Sequence, residues 1–249
     1  MRRVWWGWMA WWAAAWSVGA GAAEVRVAVA ANFTTPMLQI ARSFEQATGH
    51  KAILSIGSTG RFYAQIRNGA PFDVLLAADD ETPLKIEEEG LGVEGSRFTY
   101  ARGRLVLWSQ QAGRVDSQGE VLRSDAIQRL AVADPKLSPY GAAAFETLTH
   151  MGLMNKVRGK WVQAENIAQA YQFVATQNAP LGFVALSQVF TNGQLNQGSA
   201  WIVPARMHAP ILQDAVLLTR GQANAAALDL MRYLRSEQAV AVIRFYGYE

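Results

Sequence analysis

Residues 55–66 read SIGSTGRFYAQI. The run Lys51 to Ser55 is strand-like and stops at Gly57, and a helical run from Arg61 to Arg67 puts Phe62, Ile66 and Tyr63 on its packed side. Gly57-Ser58-Thr59-Gly60 lies between them. The glycines let the backbone approach a ligand closely, and the hydroxyls offer hydrogen-bond donors. No Lys follows the last glycine, so this is not the nucleotide-binding P-loop.

The same strand–loop–helix unit repeats to either side. Glu24 to Ala30 alternates and reads as a strand. Pro36 to Ala47 reads as a helix capped by Thr34 or Thr35. Phe72 to Ala77 is a third strand, and Glu81 to Glu89 a helix ending at Gly90. Thr99 to Trp108 reads as one long extended segment. A second series follows, with strands at Leu130–Ala133, Trp161–Ala164, Leu181–Ala185 and Ala200–Val203, and helices at Gly141–His150 and Ile167–Gln177. Ile211 to Leu218 reads as a strand, and Ala225–Arg235 and Glu237–Phe245 as closing helices. Alternating β and α elements argue for mostly parallel sheets covered by helices. Two such halves joined by extended segments predict two lobes with a cleft, where ligands sit beyond the carboxyl ends of strands.

Four stretches fall at those strand ends, each just before a helix: Ala30 to Thr34, Gly57 to Gly60, Ser138 to Gly141 and Glu165 to Ile167. A helix start leaves backbone N–H groups without internal partners and carries about half a positive charge. Several such ends aimed at one cleft would bind a compact anion. Ser58, Thr59, Tyr140 and Asn32 could add donors; taken singly, such residues before helices are usually only caps. Arg61 starts a helix and is expected in solvent. Enough neutral dipoles hold a dianion without the desolvation of a buried guanidinium.

The chain has 249 residues, no cysteine and a net charge of +3. Arg2 and Arg3 precede an apolar stretch, Val4 to Val18, with six tryptophans, and small residues ending at Ala22-Ala23. That is the pattern of a cleaved secretory signal peptide over residues 1–23. Its removal leaves about 226 residues with net charge +1. Disulfides and thiolate chemistry are excluded, and no basic cluster suggests nucleic acid. An exported chain without an anchor is expected in the periplasm.

The segments VAVAANFTTPM, SIGSTGRFYAQI, GAPFDVLLAADD, AVADPKLSPYGAAAFETL, ENIAQAYQFV and NAPLGFVALSQV, in this order and spacing, resemble the periplasmic molybdate-binding proteins of ABC importers. The resemblance runs from Val25 nearly to the C-terminus. It implies an α/β, two-lobed type II periplasmic-binding-protein fold with mixed, mostly parallel sheets and an interlobe cleft. Residues 24–101 and 209–249 would form one lobe and 102–208 the other. It implies a bare molybdate or tungstate, with no cofactor and no direct metal ligand. Neutral groups of Ala31, Asn32, Ser58, Thr59, Tyr140 and Ile167 would hold the anion through its oxygens. In part of the family a tyrosine hydroxyl reaches the anion from the position held here by Ala185; Asn32 or Tyr140 would replace it. The implied partner of a monomeric binding protein is the membrane permease.

Three other readings compete. Another tetrahedral oxyanion, sulfate or phosphate, fits the same loops; protonated phosphate would want a buried acceptor, for which Asp73, Asp79 and Asp80 are placed. Of these, Asp79-Asp80 is expected to cap the next helix. A hydrolase would need a nucleophile with a base, and there is no G-x-S-x-G elbow or metal-ligand spacing of histidines; His50, after a helix stop, is expected at the surface. A transcription regulator's sensing half would not carry a signal peptide.

Overall fold

A computed structural model describes residues 22–125 and 127–249. The signal-peptide reading falls, save for Ala22 and Ala23, outside the described residues. Among the described residues no helix is long and apolar enough to cross a membrane.

Two five-stranded sheets organise the chain. The first is built from β1 (Glu24–Ala30), β2 (Lys51–Gly57), β3 (Val74–Leu76) and β4 (Phe98–Gly103), with β12 (Ile211–Leu217), in the order β2-β1-β3-β12-β4. β1 pairs in parallel with β2 and β3, whereas β12 runs antiparallel to β3 and β4. The second contains β5 (Leu105–Ser109), β6 (Leu130–Ala133), β7 (Trp161–Ala164), β8 (Leu181–Ala185) and β11 (Ser199–Ile202), in the order β11-β5-β8-β6-β7. A short hairpin, β9 (Phe190–Thr191) and β10 (Gln194–Leu195), stands apart.

Alternating side chains explain why both faces of each sheet are covered. In the first sheet Val25, Val27, Val29, Val74 and Leu76 point to one core with α1 (Thr34–Thr48), α8 (Ala225–Tyr233) and α9 (Glu237–Phe245). Ala28 and Leu75 point to the other, with Phe62 and Ile66 of α2 (Thr59–Arg67) and Ile86 of α3 (Glu81–Glu88). In the second sheet Leu105, Leu107, Leu130 and Val132 face α4 (Pro139–His150), flanked by the short α5 (Met154–Val157). Val106, Trp108, Ala131 and Val184 face the opposite side, with Val174 of α6 (Ile167–Ala175) and Leu186 and Val189 of α7 (Leu186–Val189).

The long extended segment expected from Thr99 to Trp108 is two strands, broken at Arg104, one in each sheet. The chain returns through residues 203–210, so both connections between the sheets lie side by side. The first helix starts at Thr34 without a side-chain cap, against expectation. A 3-10 turn, Ala31–Phe33, runs straight into it, and the Thr34 hydroxyl donates back to the Ala31 carbonyl (2.8 Å). His50 is not at the surface. It is buried, accepts the Ala23 N–H at Nδ1 (3.2 Å) and faces Asp229 through Nε2 (3.2 Å), because the residue after the helix-ending Gly49 enters β2 between two packed segments.

Candidate functional site: an uncharged chamber between the sheets

Three helix starts and one turn meet between the two sheets. β2 continues through Gly57, so Ser58 is the N-cap of α2 and Thr59 its first residue, two positions earlier than the sequence pattern suggests. Ser138 is the N-cap residue of α4, without a side-chain bond, and Pro139 its first residue, whereas Asn166 caps α6. The fourth wall is the Ala31–Phe33 turn at the end of β1. They line a small recess of about 10 Å³, the chamber, formed by Ala30, Ala31, Asn32, Gly57, Ser58, Thr59, Ala78, Ser138, Pro139, Asn166 and Ile167. None of these side chains carries a charge.

Five of the six site residues read from the sequence therefore line one space: Ala31, Asn32, Ser58, Thr59 and Ile167. Tyr140 does not line it; its N–H belongs to the first turn of α4, beside the lining Ser138 and Pro139.

The hydrogen bonds separate donors that are available from donors already engaged. Ser58 Oγ is buried and has no partner among the described residues. It does not cap its own helix, although an N-cap serine ordinarily does. Thr59 Oγ1 accepts the Ala78 N–H (2.9 Å), which leaves the hydroxyl proton to give. Asn166 spends its side-chain oxygen on the Gln169 N–H (3.0 Å), a true cap. The Asn32 carboxamide gives its two N–H bonds to Gln213 Oε1 (2.8 Å) and the Tyr248 hydroxyl (3.0 Å). The Tyr140 hydroxyl is buried and accepts from Gln213 Nε2 (3.1 Å). The two side chains considered as substitutes at the Ala185 position are thus tied to Gln213. What stays free is the Ser58 hydroxyl, the Thr59 hydroxyl proton and helix-start N–H groups other than those of Gly60 and Gln169, which are bonded to Leu137 and Asn166.

Gln213 and Tyr248 were not legible as site neighbours. They come from β12 and from the segment after α9, far from the four loops in sequence, and no motif marks them. Burial raises Tyr100 and Tyr140 well above the usual phenol range and pushes Tyr248 up to about 12. These hydroxyls therefore stay neutral at any physiological pH.

Charged groups stand outside. Arg61 pairs with Glu165 across the mouth between the two halves, and 56 % of its side chain is exposed. A second, larger crevice of about 390 Å³ adjoins the chamber and is lined by Asp79, Asp80, Glu81, Lys136 and Glu146, among others. Asp79 Oδ1 accepts the Thr82 N–H (2.9 Å) at the start of α3, the capping role expected of Asp79-Asp80. Burial pushes its carboxyl up to about 6. Asp73 accepts the Arg26 N–H (2.7 Å) and is no part of either space.

A two-sheet α/β body with a donor-rich, uncharged chamber between its halves defines a solute-binding protein. The chain belongs to the bacterial extracellular solute-binding protein family, whose model matches residues 25–249. It is 58% identical over 229 residues to the molybdate-binding protein ModA of Azotobacter vinelandii, covering 92% of this chain and 91% of that protein. It is 49% identical to the molybdate-binding protein ModA of Rhodobacter capsulatus, covering 92% and 89%. The solved structure of an Azotobacter vinelandii periplasmic molybdate-binding protein superposes with a TM-score of 0.87 at 40% identity, covering 90% of this chain and 98% of that one. The two-lobed α/β fold expected from the sequence is the fold of these relatives.

Proposed function

We propose that this protein captures molybdate, and tungstate with it, in the periplasm and hands it to the membrane permease of an ABC importer. The observation that carries the reading is the buried, unpartnered Ser58 Oγ in a chamber without a charged side chain. An unpaired buried hydroxyl is costly, and a bound oxyanion gives it an acceptor. Thr59 donates beside it. The N–H groups of Ala31, Asn32, Tyr140 and Ile167 supply the remaining donors, helped by the partial charge at the starts of α2, α4 and α6. The names of the relatives support molybdate as the ligand.

The missing carboxylate matters for selectivity. Hydrogen phosphate carries a proton that needs an acceptor, and no Asp or Glu lines the chamber. A fully deprotonated dianion has no such need. Of the two acids next in sequence to lining residues, Asp79 is turned to Thr82 in the neighbouring crevice and Glu165 to the exposed Arg61. The two lobes, residues 24–101 with 209–249 and 102–208, close on the anion, and removal of residues 1–23 on export leaves a soluble monomer.

A thermal-shift screen of the protein lacking residues 1–23 against molybdate, tungstate, sulfate, phosphate and chromate tests the reading. A ligand at a hundred times its Kd adds about 2.7 kcal/mol to stability by mass action. Molybdate and tungstate are expected to raise the Tm most, and phosphate not at all. A large shift with phosphate and none with molybdate would refute the assignment.

A further inference from the structure

Adjoining the chamber at Asn32 lies a buried polar cluster whose members Gln213 and Tyr248 do not line it. Gln213, on β12, accepts from Asn32 Nδ2 (2.8 Å) and the Tyr100 hydroxyl (3.1 Å), and gives its own N–H to the Tyr140 hydroxyl (3.1 Å). Tyr248, after α9, donates to the Asn32 carbonyl (2.8 Å) and meets Ser187 Oγ (2.9 Å). Ser187 Oγ also lies 3.0 Å from the Asn32 carbonyl. Asn32, Tyr100 and Tyr248 pack with the first sheet; Tyr140 and Ser187 sit on helices of the second. The cluster therefore bridges the two halves. It lies where the chain crosses between them: a side chain at Gly103, the last residue before the break at Arg104, would overlap the Tyr140 hydroxyl and the Gln213 amide.

We propose that Gln213 and Tyr248 are positioning residues for anion capture, holding Asn32 from one lobe and Tyr140 and Ser187 from the other in the register at which the chamber closes. The inference rests on the oxyanion reading of the chamber and extends it to residues that contact no ligand. Two of the four chamber walls, the Ala31–Phe33 turn and the start of α4, carry a side chain fixed by this cluster. Opening the lobes would break the cross-lobe bonds from Gln213 to Tyr140 and between Tyr248 and Ser187. The cluster thus favours the closed arrangement and leaves the encounter of the anion with the open one unaffected. Its loss must appear in the rate of release rather than of capture.

The test is Tyr248→Phe, with Gln213→Met as the second variant, both checked for folding by circular dichroism. Molybdate association and dissociation are followed by stopped flow. Lobe separation is read without ligand by energy transfer between dyes on Glu88→Cys and His150→Cys, which label uniquely in a chain without cysteine. The expected result is a roughly tenfold faster release, an association rate within twofold, and a more open unliganded distribution, since one lost hydrogen bond to a buried neutral group is worth about that factor. A merely structural role would lower the Tm and leave release and lobe separation at wild-type values; that result in both variants overturns the proposal. Failure of the wild-type protein to bind molybdate would count against the oxyanion reading instead, and the dye distances would still decide this one.

Discussion

Two spaces lie between the halves of this molecule, and they share walls. The chamber of about 10 Å³ and the crevice of about 390 Å³ are both bounded by Ala78, Ser138 and Pro139. Yet the crevice gathers Asp79, Asp80, Glu81, Glu146 and Lys136, whereas the chamber carries no charge at all. On the crevice side a backbone bond bridges the halves, Gly60 N–H to the Leu137 carbonyl (3.0 Å), and serves as a partition between the two spaces. The contrast teaches that excluding cations is part of how such a site is built. A buried Lys or Arg costs several kcal/mol to desolvate, while helix starts and hydroxyls are already oriented by the fold.

The comparison breaks most completely if the partition is removed. A Cβ at Gly60 would stand 3.1 Å from Leu137 Cα and 3.3 Å from the Leu137 and Lys136 carbonyls, all backbone that cannot turn aside. Gly60→Val is expected to hold the halves apart and lower molybdate affinity roughly a hundredfold, the scale of two lost hydrogen bonds to a charged ligand. Calorimetric titration measures it; an unchanged Kd would mean that closure at this bridge is irrelevant.

The acidic side is probed next by Asp79→Asn, which keeps an acceptor for the Thr82 N–H. Because burial raises the folded-state value from 3.8 to about 6, the native state binds more protons than the unfolded chain between these values. Stability of the wild-type protein therefore falls as pH rises through that window. The full cost, about 3 kcal/mol, is present above pH 6. The variant is expected to melt higher than wild type at pH 7.5 and to lose the slope between pH 4 and 6. It should also bind a dianion somewhat more tightly, having shed a neighbouring negative charge. Superimposable melting curves at all pH values would contradict this.

Within the chamber, Ser58→Ala and Thr59→Val each delete a donor. Each is expected to cost roughly 1.5–3 kcal/mol of binding. They should differ without ligand. Ser58→Ala removes a hydroxyl that has no partner, so the Tm is unchanged or higher. Thr59→Val strands the Ala78 N–H, so the Tm falls. Parallel Tm shifts would sink the distinction drawn between these two hydroxyls. The smallest effect belongs to Arg61→Ala. Its bond to Glu165 is exposed on both sides, and such pairs contribute about 0–1 kcal/mol, less in high salt. A hundredfold loss of affinity would place that guanidinium on the anion.

The loops that line the chamber were legible because each follows a strand and opens a helix, and strand ends and helix starts leave local signatures. Ser58 and Thr59 stood out for that reason. Their exact places did not: Gly57 and Gly60 look like breakers, but β2 runs through the first and α2 contains the second, since tertiary pairing of β2 with β1 and of Gly60 with Leu137 outweighs local preference. The crossover was expected near residues 101 and 102 from the resemblance, but Thr99 to Trp108 reads as one extended segment, and only the sheet each half joins puts the break at Arg104. His50 read as a surface residue because its partners, Ala23 and Asp229, are remote in sequence. Gln213 and Tyr248 escaped for the same reason. A buried polar side chain is recognisable only through the neighbours that satisfy it.

The direct measurement is the anomalous scattering of molybdenum in crystals grown with molybdate. The account predicts one strong peak between Ser58, Thr59 and the starts of α4 and α6, with only hydroxyl and backbone N–H groups within hydrogen-bond reach of its oxygens. A peak held by Arg61 or Lys136, or none between the two sheets, would contradict it.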